Sequence, residues 1–129
     1  MMKNDLKEKG IKITPQRLLL YELLLKLREK HPSFNQIFEE IRLKQPNISK
    51  STVYSNLKLF EEKGLIEEFS WGQDTHYELN KRNHINIVKN GEFRDIHSVE
   101  ISNQIDEIKK NLRANGYKIK KFLIMVEEE

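Results

Sequence analysis

Apolar residues follow helical spacing through the first half of the chain, and alternation takes over later. Lys3 to Lys9 reads as a short helix stopped by Gly10. Thr14-Pro15 then marks a helix start, since Thr can cap and Pro at the first helical position forfeits no hydrogen bond. Leu18, Tyr21, Leu25 and Arg28 form one stripe of that helix, with Leu19, Leu20, Leu23, Leu24 and Leu27 around it. So broad an apolar surface predicts a central buried helix ending before His31-Pro32. Ser33 caps a second helix that carries Ile37, Phe38, Ile41 and Leu43 and ends at Pro46. Ser49 caps a third, in which Val53, Leu57 and Phe60 share one face and Gly64 is the stop. Leu65 to Ser70 and Thr75 to Leu79 alternate around Trp71-Gly72-Gln73-Asp74, which predicts a hairpin. Three helices and a hairpin are the layout of a winged helix.

Beyond this hairpin the pattern changes. Lys81-Arg82-Asn83 is polar and reads as a link between two units. Ile85-Asn86-Ile87 and Phe93-Arg94-Asp95-Ile96 flank Asn90-Gly91, a strong hairpin dipeptide. Val99, Ile101, Ile105, Ile108 and Leu112 follow helical spacing up to Gly116, and Tyr117 to Val126 reads as a closing strand. The expected class is therefore α+β: a winged helix-turn-helix over residues 1–82 and a small ββαβ unit over 83–129. A unit of that size buries little apolar surface alone, so it is expected to pair with a copy of itself, through Val99, Ile101, Ile105, Ile108, Phe122, Ile124 and Val126.

Composition narrows the function. The 129 residues contain no cysteine, which excludes disulfides, thiolate metal sites and cysteine nucleophiles. No apolar run spans a bilayer, and no secretory pattern opens the chain, so no membrane partner and a cytoplasmic location are expected. The net charge of +3 lies in residues 1–82, where 15 Lys and Arg face 12 Asp and Glu; residues 83–129 balance at 8 against 8. Ile41 to Phe60 holds Arg42, Lys44, Lys50 and Lys58 and no acidic residue. A local excess of this kind attracts polyanions, although a solvated helix face produces the same count.

The helix after Ser49 offers Lys50, Ser51, Thr52, Tyr54, Ser55, Asn56 and Lys58 opposite its apolar face. Hydroxyls, an amide and an aromatic ring suit base edges and thymine methyls, and lysines suit phosphates. In a helix-turn-helix the second helix enters the major groove N-terminus foremost, where these residues fall. An ordinary amphipathic helix, or a docking module without DNA, fits the same pattern. A metallohydrolase fits poorly, because no His-Glu-x-x-His motif is present. No enzymatic activity is expected.

Gly10-Ile11-Lys12-Ile13-Thr14-Pro15-Gln16-Arg17 resembles the opening signature of the ferric uptake regulator (Fur) family. His31-Pro32-Ser33, Ile37-Phe38, Pro46-Asn47-Ile48-Ser49, Thr52-Val53-Tyr54, Asn56-Leu57 and Gly64-Leu65-Ile66 continue it in order, closely over residues 8–80 and loosely beyond. The resemblance implies a metal-responsive transcriptional repressor, with an N-terminal winged helix and a C-terminal dimerisation domain, that binds a palindromic double-stranded operator as a homodimer. It gives Lys12 and Arg17 a minor-groove or phosphate role and Tyr54 a base-contacting one, with Gln16 in the same DNA-contacting set. Members often carry Arg after that Tyr; here it is Ser55, which implies a different operator preference.

The resemblance also implies a regulatory metal site, and there the chain departs from the pattern. The structural zinc held by two cysteine pairs has no ligands here. The regulatory ligands match His31, Glu78, His84 and Asp95, while the second His of the usual His-x-His is Asn86. Imidazoles with carboxylates suit Fe(II), Mn(II) or Zn(II), and ligands from both halves of the chain would let an ion fix the angle between the domains. His76 and His97 are further possible ligands. The alternative is a metal-independent regulator in which these are ordinary surface residues.

Overall fold

The computed structural model describes residues 2–79 and 82–129. It divides into two compact units, Met1–Asn80 and Lys81–Glu129. The linker reading at Lys81 lies outside the described residues. No helix among the described residues is long and apolar enough to cross a membrane.

The first unit is a winged helix. Helix α1 (Met2–Glu8) precedes α2 (Pro15–Lys26), α3 (Phe34–Lys44) and α4 (Lys50–Glu62), and strands β1 (Glu67–Trp71) and β2 (Asp74–Glu78) form the antiparallel wing. The helix starts follow from cap chemistry. Thr14 accepts from the Arg17 N–H with Pro15 as the first helical residue, and Ser49 accepts from the Thr52 N–H. Ser33 and Gln36 form a reciprocal capping box, each side chain accepting from the other's backbone N–H. Each cap is worth about 1 kcal/mol to its helix. Gly64, at a φ of 75°, takes the left-handed turn that releases the chain from α4 into the wing.

The leucine-rich α2 corrects the expected stripe. Leu20, Tyr21 and Leu24 are buried, and Leu18, Leu19, Leu23 and Leu25 are partly buried around them. The α-helix stops at Lys26, and a 3-10 turn at Arg28–Lys30 completes the run to His31. Arg28 is thus outside the helix and exposed. On α3, Ile37, Phe38 and Ile41 enter the core, but Leu43 is 78% exposed, because the helix turns that position away from α2 and α4. Val53, Leu57 and Phe60 seat α4, with Phe60 edge-on to Tyr21.

In the second unit, β3 (Ile85–Lys89) and β4 (Glu92–Ile96) are joined through Asn90 and Gly91, both at positive φ as a tight primed turn requires. Helix α5 (Val99–Ala114) then leads to β5 (Met125–Glu127), parallel to β3, giving the order β4-β3-β5. Val88, Phe93 and Ile105 are buried. The closing strand is much shorter than the expected Tyr117 to Val126. Only Asn86 to Val88 of β3 pair with it, so residues before Met125 have no ladder to join.

Candidate functional site

The outer face of α4 is the first candidate. With Val53, Leu57 and Phe60 committed to the core, Lys50, Ser51, Tyr54 and Ser55 are exposed and Thr52, Asn56 and Lys58 are partly covered. Tyr54 is 49% exposed, although its ring sits edge-on to Phe34 at 6.2 Å. An aromatic held on one side and open on the other is preorganised for contact. The Ser49 hydroxyl lies 3.1 Å from that of Ser51 and 2.9 Å from that of Thr52, and the Ser55 hydroxyl donates to the Thr52 carbonyl at 3.1 Å. These bonds fix hydroxyl directions at the helix start while leaving oxygen lone pairs to accept.

The cations divide into two kinds. Lys12 and Gln16 are exposed at the start of α2, and the Lys50 ammonium lies over the Phe38 ring at 5.5 Å, sharing it with Arg42 at 5.7 Å. Arg17 is partly covered. Its Nε–H donates to Asn56 Oδ1 at 3.1 Å and an Nη1–H donates to the Lys12 carbonyl at 2.8 Å. Lys58 is committed inside the unit. Its ammonium donates to Glu68 of the wing at 2.6 Å, stands 3.9 Å from Glu61 and lies over the Tyr54 ring at 5.6 Å. The hydrogen bond to Glu68 is the main reason its pKa is pushed up to about 12. It ties α4 to the wing. Glu68 lay beyond the acid-free stretch, and only the fold brings it across.

A second candidate is a set of imidazole–carboxylate pairs. In the first unit, His31 is fully buried at the end of the 3-10 turn, and its Nε2 lies 3.4 Å from Glu78 Oε2 on β2. In the second unit, His84 Nε2 lies 3.8 Å from Asp95 Oδ1 on β4, with both side chains mostly covered. The His84 Nδ1–H donates to the Arg82 carbonyl at 2.6 Å. A carbonyl only accepts, so this bond puts the proton of the neutral ring on Nδ1, the tautomer that ligates a metal through Nε2. Each pair joins an imidazole nitrogen to a carboxylate oxygen, and that donor mixture, in the four ligands the resemblance implies, fits Fe(II), Mn(II) or Zn(II).

The other polar candidates are engaged elsewhere. Asn86 is buried, and its amide donates to the Ile124 carbonyl at 3.3 Å, a structural bond toward β5. His97 lies 2.9 Å from an Arg82 nitrogen, and His76 bonds through Nδ1 to the His31 carbonyl. Neither belongs to the metal set.

Residues 8–126 match the ferric uptake regulator family. The chain is 36% identical over 111 residues to the ferric uptake regulation protein homolog of Archaeoglobus fulgidus, covering 86% of this chain and 84% of the relative. The structure of the ferric uptake regulator from Pseudomonas aeruginosa with manganese superposes with a TM-score of 0.76 at 22% identity, covering 100% of this chain and 98% of that one. The ferric uptake regulator of Helicobacter pylori, whose structure reveals three functional metal binding sites, superposes with a TM-score of 0.70 at 25% identity. That match covers 99% of this chain and 87% of the other.

Proposed function

Since the chain belongs to the ferric uptake regulator family, whose members are DNA-binding transcription regulators and not enzymes, we propose that it represses transcription as a metal-responsive homodimer on a pseudo-palindromic operator. Residues 1–82 bind the DNA and residues 83–129 dimerise, in the cytoplasm where the operator lies. The observation that carries this reading is the division of α4: Val53, Leu57 and Phe60 are buried, while Lys50, Ser51, Tyr54 and Ser55 are exposed on an outer face that carries no acid before Glu61.

In this reading α4 lies in the major groove. Tyr54 meets a thymine methyl, and Ser51, Thr52 and Ser55 accept from or donate to base edges. Lys12, Gln16, Arg17 and Lys50 hold the backbone, setting register without reading sequence. A two-fold dimer presents two such helices to two half-sites.

His31, Glu78, His84 and Asp95 hold the divalent ion. Bound there, it supplies positive charge to two carboxylates and accepts two imidazole nitrogens. Because the side chains come from both domains, sharing an ion restricts the domains to arrangements in which both pairs reach it. Such linkage raises DNA affinity only as far as the DNA-competent arrangement binds metal more tightly than the others.

The test is enrichment of duplexes from a random pool, followed by anisotropy titrations of the native protein and Tyr54→Ala. The substitution is expected to cost about 1–3 kcal/mol on the selected sequence and much less on random DNA. Equal losses on both would reassign Tyr54 to the backbone, and failure to enrich any sequence would overturn the reading.

A further inference from the structure

We propose that His76 is a positioning residue for the metal ligand His31, an inference that rests on the metal reading above. His31 occupies the left-handed region, with φ 45° and ψ 64°, where Cβ crowds the following carbonyl oxygen, although His takes this conformation more often than most residues. Something must hold it there, and the wing does. The His76 Nδ1–H donates to the His31 carbonyl at 2.8 Å. On either side of that bond, Tyr77 N–H donates to the Pro32 carbonyl at 3.0 Å, and Ser33 pairs with His76 as an isolated β-bridge.

The rings are arranged to match. His76 stacks on Phe69 with centroids 5.5 Å apart and planes 19° from parallel, and Phe69 meets the His31 ring edge-on at 6.0 Å. Strand β2 thus supplies both the donor that grips the His31 backbone and, two residues on, the Glu78 carboxylate that faces the His31 ring. His76 and Glu78 share one side of the strand, so carboxylate and clamp move together. The bond from His76 Nδ1 goes to the backbone of His31, so His76 acts on the position of that ligand. Outer groups that orient a metal ligand typically change affinity by about 10–100-fold when removed.

Two substitutions separate the donor from the ring. His76→Asn keeps an amide N–H at nearly the reach of Nδ1, while His76→Phe keeps an aromatic against Phe69 and loses the donor. The measurement is calorimetric titration of the full-length native protein and both variants with Mn(II) and, separately, Zn(II). It is paired with backbone ¹³C shifts of His31 in the metal-free chains. His76→Phe is expected to bind metal about tenfold more weakly and to lose the left-handed shift pattern at His31, and His76→Asn to stay within about threefold of native with that pattern intact. Native affinity in His76→Phe, or equal loss in both variants, overturns the positioning role. Should His76→Phe fail to fold, His76→Asn decides alone: near-native affinity supports the role, and a tenfold loss overturns it. No metal uptake by the native protein is a different result, since it overturns the metal reading on which the role depends.

Discussion

The Arg17 Nε–H donates to the Asn56 side-chain carbonyl at 3.1 Å, tying the first turn of α2 to the flank of α4. Arg17 takes one of the two Oδ1 lone pairs, so Asn56 presents mainly its amide N–H groups, and Arg17 is a donor throughout. The pair therefore presents donors, which suits phosphate oxygens or purine acceptors better than the two-way amide contact that reads adenine. Arg17→Ala and Asn56→Ala are each expected to weaken DNA binding, and the double variant to lose less than their sum, with a coupling of about 0.5–3 kcal/mol. Anisotropy titrations of the four proteins complete the cycle. Strict additivity would show that the bond plays no part in binding.

The same distinction between free and committed cations predicts the salt response. Lys12→Ala and Lys50→Ala should each flatten the slope of log affinity against log salt by about 0.9, as one lost phosphate contact does. Lys58→Ala should flatten it much less, because Glu68 and Glu61 already balance that charge. An effect of Lys58→Ala as large as the others would place it on the DNA.

Stability should fall at high pH. Burial, aided by a 2.9 Å hydrogen bond to Asp5 and by the Asp5 charge, raises Tyr21 to about 12, and burial raises Tyr77 to about 12. Both phenols ionise near 10 when unfolded, so between the two values the folded state retains protons that the unfolded state has released. Their contribution is complete below about pH 10 and disappears as pH climbs through 12. Urea denaturation across that window should show the loss, and Tyr21→Phe with Tyr77→Phe should reduce it. Lys58, raised to about 12, has the same sign and leaves a residual slope. Stability that holds constant to pH 12 would contradict the assignment.

The second unit leaves Ile96, Val99, Ile108, Tyr117, Leu123 and Val126 exposed on a small ββαβ framework. Sedimentation at about micromolar concentration should give a dimer, and Ile108→Asp should shift it toward monomer at unchanged helix content. A native monomer under those conditions would contradict the proposed assembly.

Local chemistry made most of the elements legible. Thr14-Pro15, Ser33, Ser49 and Asn90-Gly91 act over three or four residues, and each did so where expected. Leucines on every side of α2 hid which face is buried, since neighbouring helices decide that. Residues 117–124 read as part of the closing strand, but a strand exists only where β3 provides partners. The metal candidates come from distant stretches of chain, and the family resemblance was needed to group them. No pattern could signal the bond from His76, because its acceptor is a backbone carbonyl brought near by the fold.

The most direct test of the account is operator affinity with and without metal. The native protein is titrated against a selected duplex by anisotropy, once with Mn(II) in excess and once after treatment with a chelator, beside His84→Ala in both conditions. Metal-loaded native protein should bind at least tenfold more tightly than the chelated protein, and His84→Ala should show little difference between the two, a tenfold ratio being about 1.4 kcal/mol of coupling. Equal affinity with and without metal, on a duplex the protein still selects, would contradict the account and leave a metal-independent repressor.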